Sequence, residues 1–283
     1  MRPILHITAV MSTALVLAGC DQSGTAEVER ALDGVNVIDE TNLNDIMLSA
    51  ADPEAAVAHF RRASAENPER MDLRRGLATS LVRAGHYSQA VAVWRDIVES
   101  DEVTSEDRVA FAGALIRTNA WEEAEAQLDL VPPTYETYQR YRLEAMVADS
   151  NEEWERADSF YETAVGLTTT PAGVLNNWGY SKLTRGDFDA AERLFMEAIR
   201  YDPDLFTAKN NLVLARASRG QYTLPLVEMT QVERAQLLHT MALAAIRRGD
   251  IDIGRGLLED AIDTHPQHFD AAVQALRTLE AQG

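Results

Sequence analysis

Cysteine is all but missing from this chain. Cys20 is the only one in 283 residues, which excludes an intramolecular disulfide and any thiolate metal cluster. Lysine is nearly as scarce: Lys182 and Lys209 stand alone, so arginine carries almost all of the positive charge. The formal net charge is −19 and no basic stripe interrupts it, which argues against nucleic acid as a partner and against docking on anionic lipid headgroups. Aromatic residues make up only 7% of the chain, a composition suited to helices packed through small side chains. The motifs of catalysis are absent too. The sequence contains no phosphate-binding loop, GxSxG elbow, HExxH helix or DxDxDG calcium loop. His265 and His268 are separated by Pro266 and have no third ligand near in sequence, while His59, His86 and His239 form no pattern. The reading is a non-enzymatic protein with no metal, no cofactor and no small-molecule substrate.

What is present begins at the N-terminus. Arg2 followed by the apolar run 4–18 reads as an export signal over residues 1–19, too short for a comfortable membrane-spanning helix. The run ends in Leu17-Ala18-Gly19-Cys20, which resembles a bacterial lipobox. That resemblance implies cleavage before Cys20, a diacylglyceryl group on its thiol and an acyl chain such as palmitate on its amine. Several buried chains, at roughly 0.8 kcal/mol per methylene, anchor stably. Asp21 speaks for the inner membrane, by analogy with enterobacterial sorting. Residues 20–36 read as a polar tether carrying the lipid, and residues 37–283 as the folded part.

A ladder runs through that folded part. Ala51, Gly85, Asn119, Glu152, Gly186, Gly220 and Gly249 occupy equivalent turn positions, spaced by 34, 34, 33, 34, 34 and 29 residues. Two positions after the turn come Tyr87, Trp121, Trp154, Phe188, Tyr222 and Ile251. Five after it come Ala56, Ala90, Ala124, Ala157, Ala191 and Gly254; nine after it, Phe60, Trp94, Leu128, Tyr161, Phe195 and Leu258. Seven before it stand Ala78, Ala112, Ala145, Gly179 and Ala242. Small residues at a crossing let two helices approach, and large ones beside it fill the space. The period and residue types resemble the tetratricopeptide (TPR) repeat. The expected fold is all-α: a right-handed TPR α-solenoid of about six to seven helix pairs with a C-terminal capping helix. All four tryptophans fall on signature positions and are expected in the core. Glu144, where other units have Leu77, Phe111 or Trp178, predicts a looser 138–171 unit. Pro225 predicts an irregular break over about residues 221–232, because proline inside a helix costs about 3 kcal/mol or more.

Candidate binding residues lie on the first helix of each pair. Asn176-Asn177 and Asn210-Asn211 recur at the same offsets before Gly186 and Gly220, and an amide can both donate to and accept from a peptide backbone. Arg142 and Arg75 share the offset of Asn176 in earlier units and could meet a carboxylate. These six residues form the expected partner-binding groove.

The stretch NNWGYSKLTRGDFDAAERLFMEAIRYDPDLFTAKNNLVLARASRGQY, with ERAQLLHTMALAAIRRGDIDIGRGLLEDAIDTHPQHFDAA after it, resembles the TPR lipoproteins of Tad (tight adherence, Flp-type) pilus systems, the TadD-like group. The resemblance implies an assembly factor whose protein partners are secretin or other pilus components, lipid-anchored on the periplasmic side of the envelope, with the outer membrane favoured over the inner. The alternative is a TPR lipoprotein for another envelope task, outer-membrane protein assembly or recruitment of a protease.

Overall fold

The computed structural model describes residues 43–282. Cys20, the signal over 1–19, the tether over 20–36 and the first residues assigned to the folded part lie outside the described residues. The chain divides into two compact units, one ending at Ala84 and the other beginning at Gly85.

The first unit holds α1 (43–49), α2 (Pro53–Glu66) and α3 (Met71–Arg83). Asp52 starts α2 by accepting from the backbone N–H groups of Glu54 and Ala55, each at 3.1 Å, and Pro53 occupies the first turn, where no donor is needed. Ala56, Val57 and Phe60 of α2 form a buried core with Leu73, Ala78 and Leu81 of α3. Gly76 makes room for this: a Cβ there would stand 2.4 Å from Phe60 Cε1. Arg83 ties the far end, donating to the carbonyls of Met47 and Ala51 at 2.8 and 2.9 Å.

The second unit runs through α4 (Tyr87–Val98), α5 (Ser105–Arg117), α6 (Trp121–Asp129), α7 (Tyr138–Ser150) and α8 (Trp154–Gly166). It continues with α9 (Ala172–Thr184), α10 (Phe188–Tyr201), α11 (Phe206–Ser218), α12 (Gln231–Arg248), α13 (Ile251–Thr264) and α14 (Asp270–Gln282). The turns have one recurring construction. Gly85, Asn119, Glu152, Gly186, Gly220 and Gly249 are the residues with left-handed backbone among those described, with φ between 60° and 92°. After each of the last five, the next N–H returns to a carbonyl five residues back, as Asp187 does to Lys182 at 2.9 Å and Asp250 to Ala245 at 3.0 Å. This Schellman arrangement closes the first helix of a pair and points the chain into the second. The second helix starts two residues past the left-handed one, on Tyr87, Trp121, Trp154, Phe188 or Ile251.

The crossing positions behave as their sizes demand. Ala112, Ala124, Ala145, Ala157, Ala191, Ala198 and Ala242 are fully buried, as are Phe195 and Leu258. A Cβ on Gly179 would lie 2.6 Å from Phe195 Cε1, so α9 and α10 touch at a separation that only glycine permits. The unit around Glu144 is not loose. Glu144 Oε1 accepts from Arg140 Nε at 2.7 Å, and Arg140 also donates to the carbonyls of Pro132 and Tyr135, so the carboxylate in an apolar position is neutralised one turn away. Thr104 caps α5, which begins at Ser105, through a reciprocal capping box with Asp107.

No helix follows Gly220. Residues 221–230, ending two short of the expected 232, form a non-helical strap that bends at 226–227, where Val227 N–H bonds back to the carbonyl of Pro225 at 3.0 Å. Leu224 and Met229 pack into the core shared by α11–α14, Val227 packs into the core of α9–α11, and Leu226 points fully into solvent. Tyr222 O–H, where a second helix would have begun, bonds to Asp250.

Candidate functional site

One cavity of about 460 Å³ opens on the face made by the first helices of the middle repeats. Its walls come from several elements. α7 contributes Met146, Asp149 and Ser150; α9 contributes Asn176, Asn177, Tyr180, Ser181 and Thr184; α11 contributes Thr207 and Asn211. Trp121, Trp154 and Tyr161 reach it from the second helices α6 and α8. First-helix positions one turn apart present side chains on the same side, and stacking the pairs places those sides in one surface.

The structure separates the six candidate residues. Asn176, Asn177 and Asn211 meet in the cavity wall: Asn211 Nδ2 donates to Asn176 Oδ1 at 3.0 Å, and Asn177 Nδ2 lies 3.5 Å from Met146 Sδ. Asn210 faces the other way and accepts from Thr240 Oγ1 of α12 at 2.7 Å, an inter-helix bond rather than a groove contact. Arg142 lies on α7 outside the cavity wall, with its Nε buried and without a hydrogen-bond partner, and burial lowers its pKa. Arg75 is half-buried on α3 of the first unit.

Asp149 stands in the cavity wall and Asp158 is linked to it through Ser181, and their surroundings push the two carboxylates in opposite directions. Asp149 Oδ1 accepts from Ser181 Oγ at 2.6 Å and Oδ2 accepts from Tyr161 O–H at 2.9 Å. Burial raises its pKa, against the opposing pull of those two hydroxyls. Asp158 is also partly desolvated, but it takes Trp178 Nε1 at 2.7 Å, Lys182 Nζ at 2.7 Å and Arg185 Nη2 at 2.6 Å. These donors prevail over burial and hold it down at about 2. Arg185 Nη2 reaches Ser181 Oγ as well, at 2.9 Å, so the serine links the two carboxylates. Burial and the Asp149 charge together push the Tyr161 phenol well above its ordinary range, keeping it a proton donor.

Sequence reasoning missed the aromatic share of this site. Trp94 is buried, at 4% exposure, but Trp121 and Trp154 are half-buried and line the cavity, and Tyr180 is 53% exposed at its rim. A wedge at the start of a second helix can pack with one edge and show the other; Trp154 and Trp121 do both. Among the described residues, no group of three or more His, Cys, Asp or Glu is placed to hold a metal ion, and no helix is long and apolar enough to cross a membrane.

Two stretches, residues 47–106 and 176–224, match tetratricopeptide repeat families. Among solved structures, the human IFIT1 dimer with m7Gppp-AAAA superposes with a TM-score of 0.63 at 15% identity, over 91% of this chain and 69% of that one. A tetratricopeptide repeat protein from Parabacteroides merdae gives 0.54 at 13% identity, over 92% and 99%. The fold is a TPR α-solenoid. The APC/C hetero-tetramer Cut9–Hcn1 gives a TM-score of 0.58 at 13% identity, over 83% of this chain and 48% of that one. These likenesses concern the fold; the capped RNA belongs to the IFIT1 structure. No curated protein sequence matches the chain. TPR arrays mediate contacts between proteins, and the cavity lies on the first-helix face where such an array displays its variable side chains.

Proposed function

We propose that this TPR solenoid is a non-enzymatic protein-interaction scaffold, held by lipid on Cys20 at the periplasmic side of the cell envelope, and that it serves as an assembly factor in a Tad-type pilus system. The observation that carries the scaffold reading is the solvent-open cavity on the first-helix face, where three asparagine amides stand beside exposed aromatic edges. An amide that donates and accepts can hold a partner's main chain, and ring edges supply apolar contact at small entropic cost. The Leu17-Ala18-Gly19-Cys20 run supports the anchor, and the resemblance, which covers most of residues 70–280, supports the pilus pathway, with the outer membrane as the favoured site.

Photo-crosslinking residues placed at Tyr180 and Thr184, in native membranes, test the reading. Capture of a secretin or another pilus component is the expected outcome. Capture of a peptidase or an outer-membrane assembly barrel moves the protein to the alternative envelope task, and no crosslink from either position refutes the groove. In the same cells Cys20→Ala should release the chain from membranes; pelleting that survives a high-salt wash would overturn the anchor.

A further inference from the structure

The aromatic cavity has a chemical bias of its own. The rings of Trp121, Trp154, Tyr161 and Tyr180 line it, and among the described residues no lysine or arginine does and Asp149 is its one carboxylate. Asp149 receives only two hydroxyl donors, from Ser181 and Tyr161, and each of its oxygens retains an unused lone pair. Two of the neighbouring cations are engaged elsewhere. Lys182 and Arg185 both bind Asp158, which leaves Ser181 Oγ as the sole bridge from that network to Asp149. Arg185, outside the cavity lining, lies over the Trp154 ring with Cζ 5.2 Å from its centroid, so one face of that indole is taken and a guest cation is left to the other rings.

We propose that this cavity takes the cationic side chain of an arginine or lysine carried by a bound protein segment. The proposal rests on the partner-binding reading of the same face and adds to it the chemistry of the anchor residue. Electron-rich ring faces attract a guanidinium or ammonium group, and a carboxylate at the polar wall completes its coordination. An apolar guest would desolvate Asp149 further and give it nothing; an acidic guest would meet it charge to charge. The net charge of −19 draws a basic segment toward the surface before any of these contacts form.

Five pentapeptides identical except for a central arginine, lysine, citrulline, norleucine or glutamate test the idea against the full chain. The readout is the NMR shift of the Trp121 and Trp154 indole N–H signals, assigned by substitution. The arginine and lysine peptides should move both signals. Citrulline, which keeps the shape and loses the charge, should bind at least about tenfold more weakly. Asp149→Asn should abolish that preference. Tyr180→Ala, at the exposed rim where no core packing is lost, should weaken the cationic peptides without moving the unfolding midpoint, and it decides the matter if Asp149→Asn fails to fold. Citrulline or norleucine binding as tightly as arginine would sink the cation assignment while leaving the partner-binding face standing. Five silent peptides would overturn both.

Discussion

Gly179→Ala and Gly256→Ala are the same chemical change, one methyl group added inside a helix, and the structure gives them opposite signs. At Gly179 the new Cβ would sit 2.6, 2.8 and 3.1 Å from Cε1, Cδ1 and Cζ of Phe195. Carbon atoms rest at about 3.5–4.0 Å, so the ring must retreat by roughly 1 Å. It has nowhere to go. Phe195 is fully buried in a cluster with Leu175, Ala191, Ala198 and Leu212. Overpacking of this kind costs about 1–3 kcal/mol, and the better helix propensity of alanine returns about 1 kcal/mol. The expected net loss is about 1 kcal/mol, up to about 2. At Gly256, inside α13, nothing lies within 4 Å of the new Cβ, so only the propensity gain of about 1 kcal/mol remains. Urea unfolding followed by far-UV circular dichroism, on chains lacking the first 20 residues, should place the two midpoints on either side of the parent. Adding Phe195→Leu to Gly179→Ala should recover part of the loss. A Gly179→Ala variant as stable as Gly256→Ala would refute the account of how α9 and α10 meet.

Glu152 carries an exposed side chain on a left-handed residue with φ of 60°, a conformation that costs an L residue about 1–2 kcal/mol. Glu152→Gly should therefore stabilise the array by roughly 0.5–1 kcal/mol in the same unfolding assay, and a destabilised variant would show that the side chain is needed. Asp158 gives a pH signature. Its pKa falls from an ordinary 3.8 to about 2 on folding, so its stabilising contribution is complete above the unfolded value and is lost as pH falls from 3.8 toward 2. Asp158→Asn should lower the unfolding midpoint at pH 7, and the gap to the parent should shrink steadily below about pH 4. A gap that stays constant down to pH 2.5 would mean that shape, not charge, holds Trp178, Lys182 and Arg185 together.

The turns were legible because a left-handed residue leaves a strong trace. Gly186 and Gly249 announce it by composition, while Asn119 and Glu152 announce it only by register with their neighbours, and the Schellman bonds confirm them. Crossing residues such as Ala157 and Phe195 were legible for the same reason: their sizes are set by helix separation. The binding face was harder to read. Asn176 and Asn210 share an offset, yet Asn176 lines the cavity while Asn210 is taken by Thr240 of α12, so what decides is the neighbouring helix and not the position in the repeat. Trp121 and Trp154 were hidden by their own regularity, since a signature position explains the packed edge of a ring and says nothing of the other. Glu144 misled because its partner Arg140 lies one turn earlier, beyond the repeat consensus.

The strap over 221–230 has a consequence for how the array comes apart. In a linear stack each pair couples to the next through both of its helices, and cooperativity is the sum of those nearest-neighbour links. At Gly220 the first-helix track is continuous, since α11 packs on both α10 and α12, while the second track is reduced to Leu224, Val227 and Met229 plugged into cores on either side. Within the second unit, that junction is carried by one helix track and a strap where other repeats have two helices. Unfolding that begins at α14 should pause there, so that α12–α14 exchange their amide protons as one block while α9–α11 remain closed.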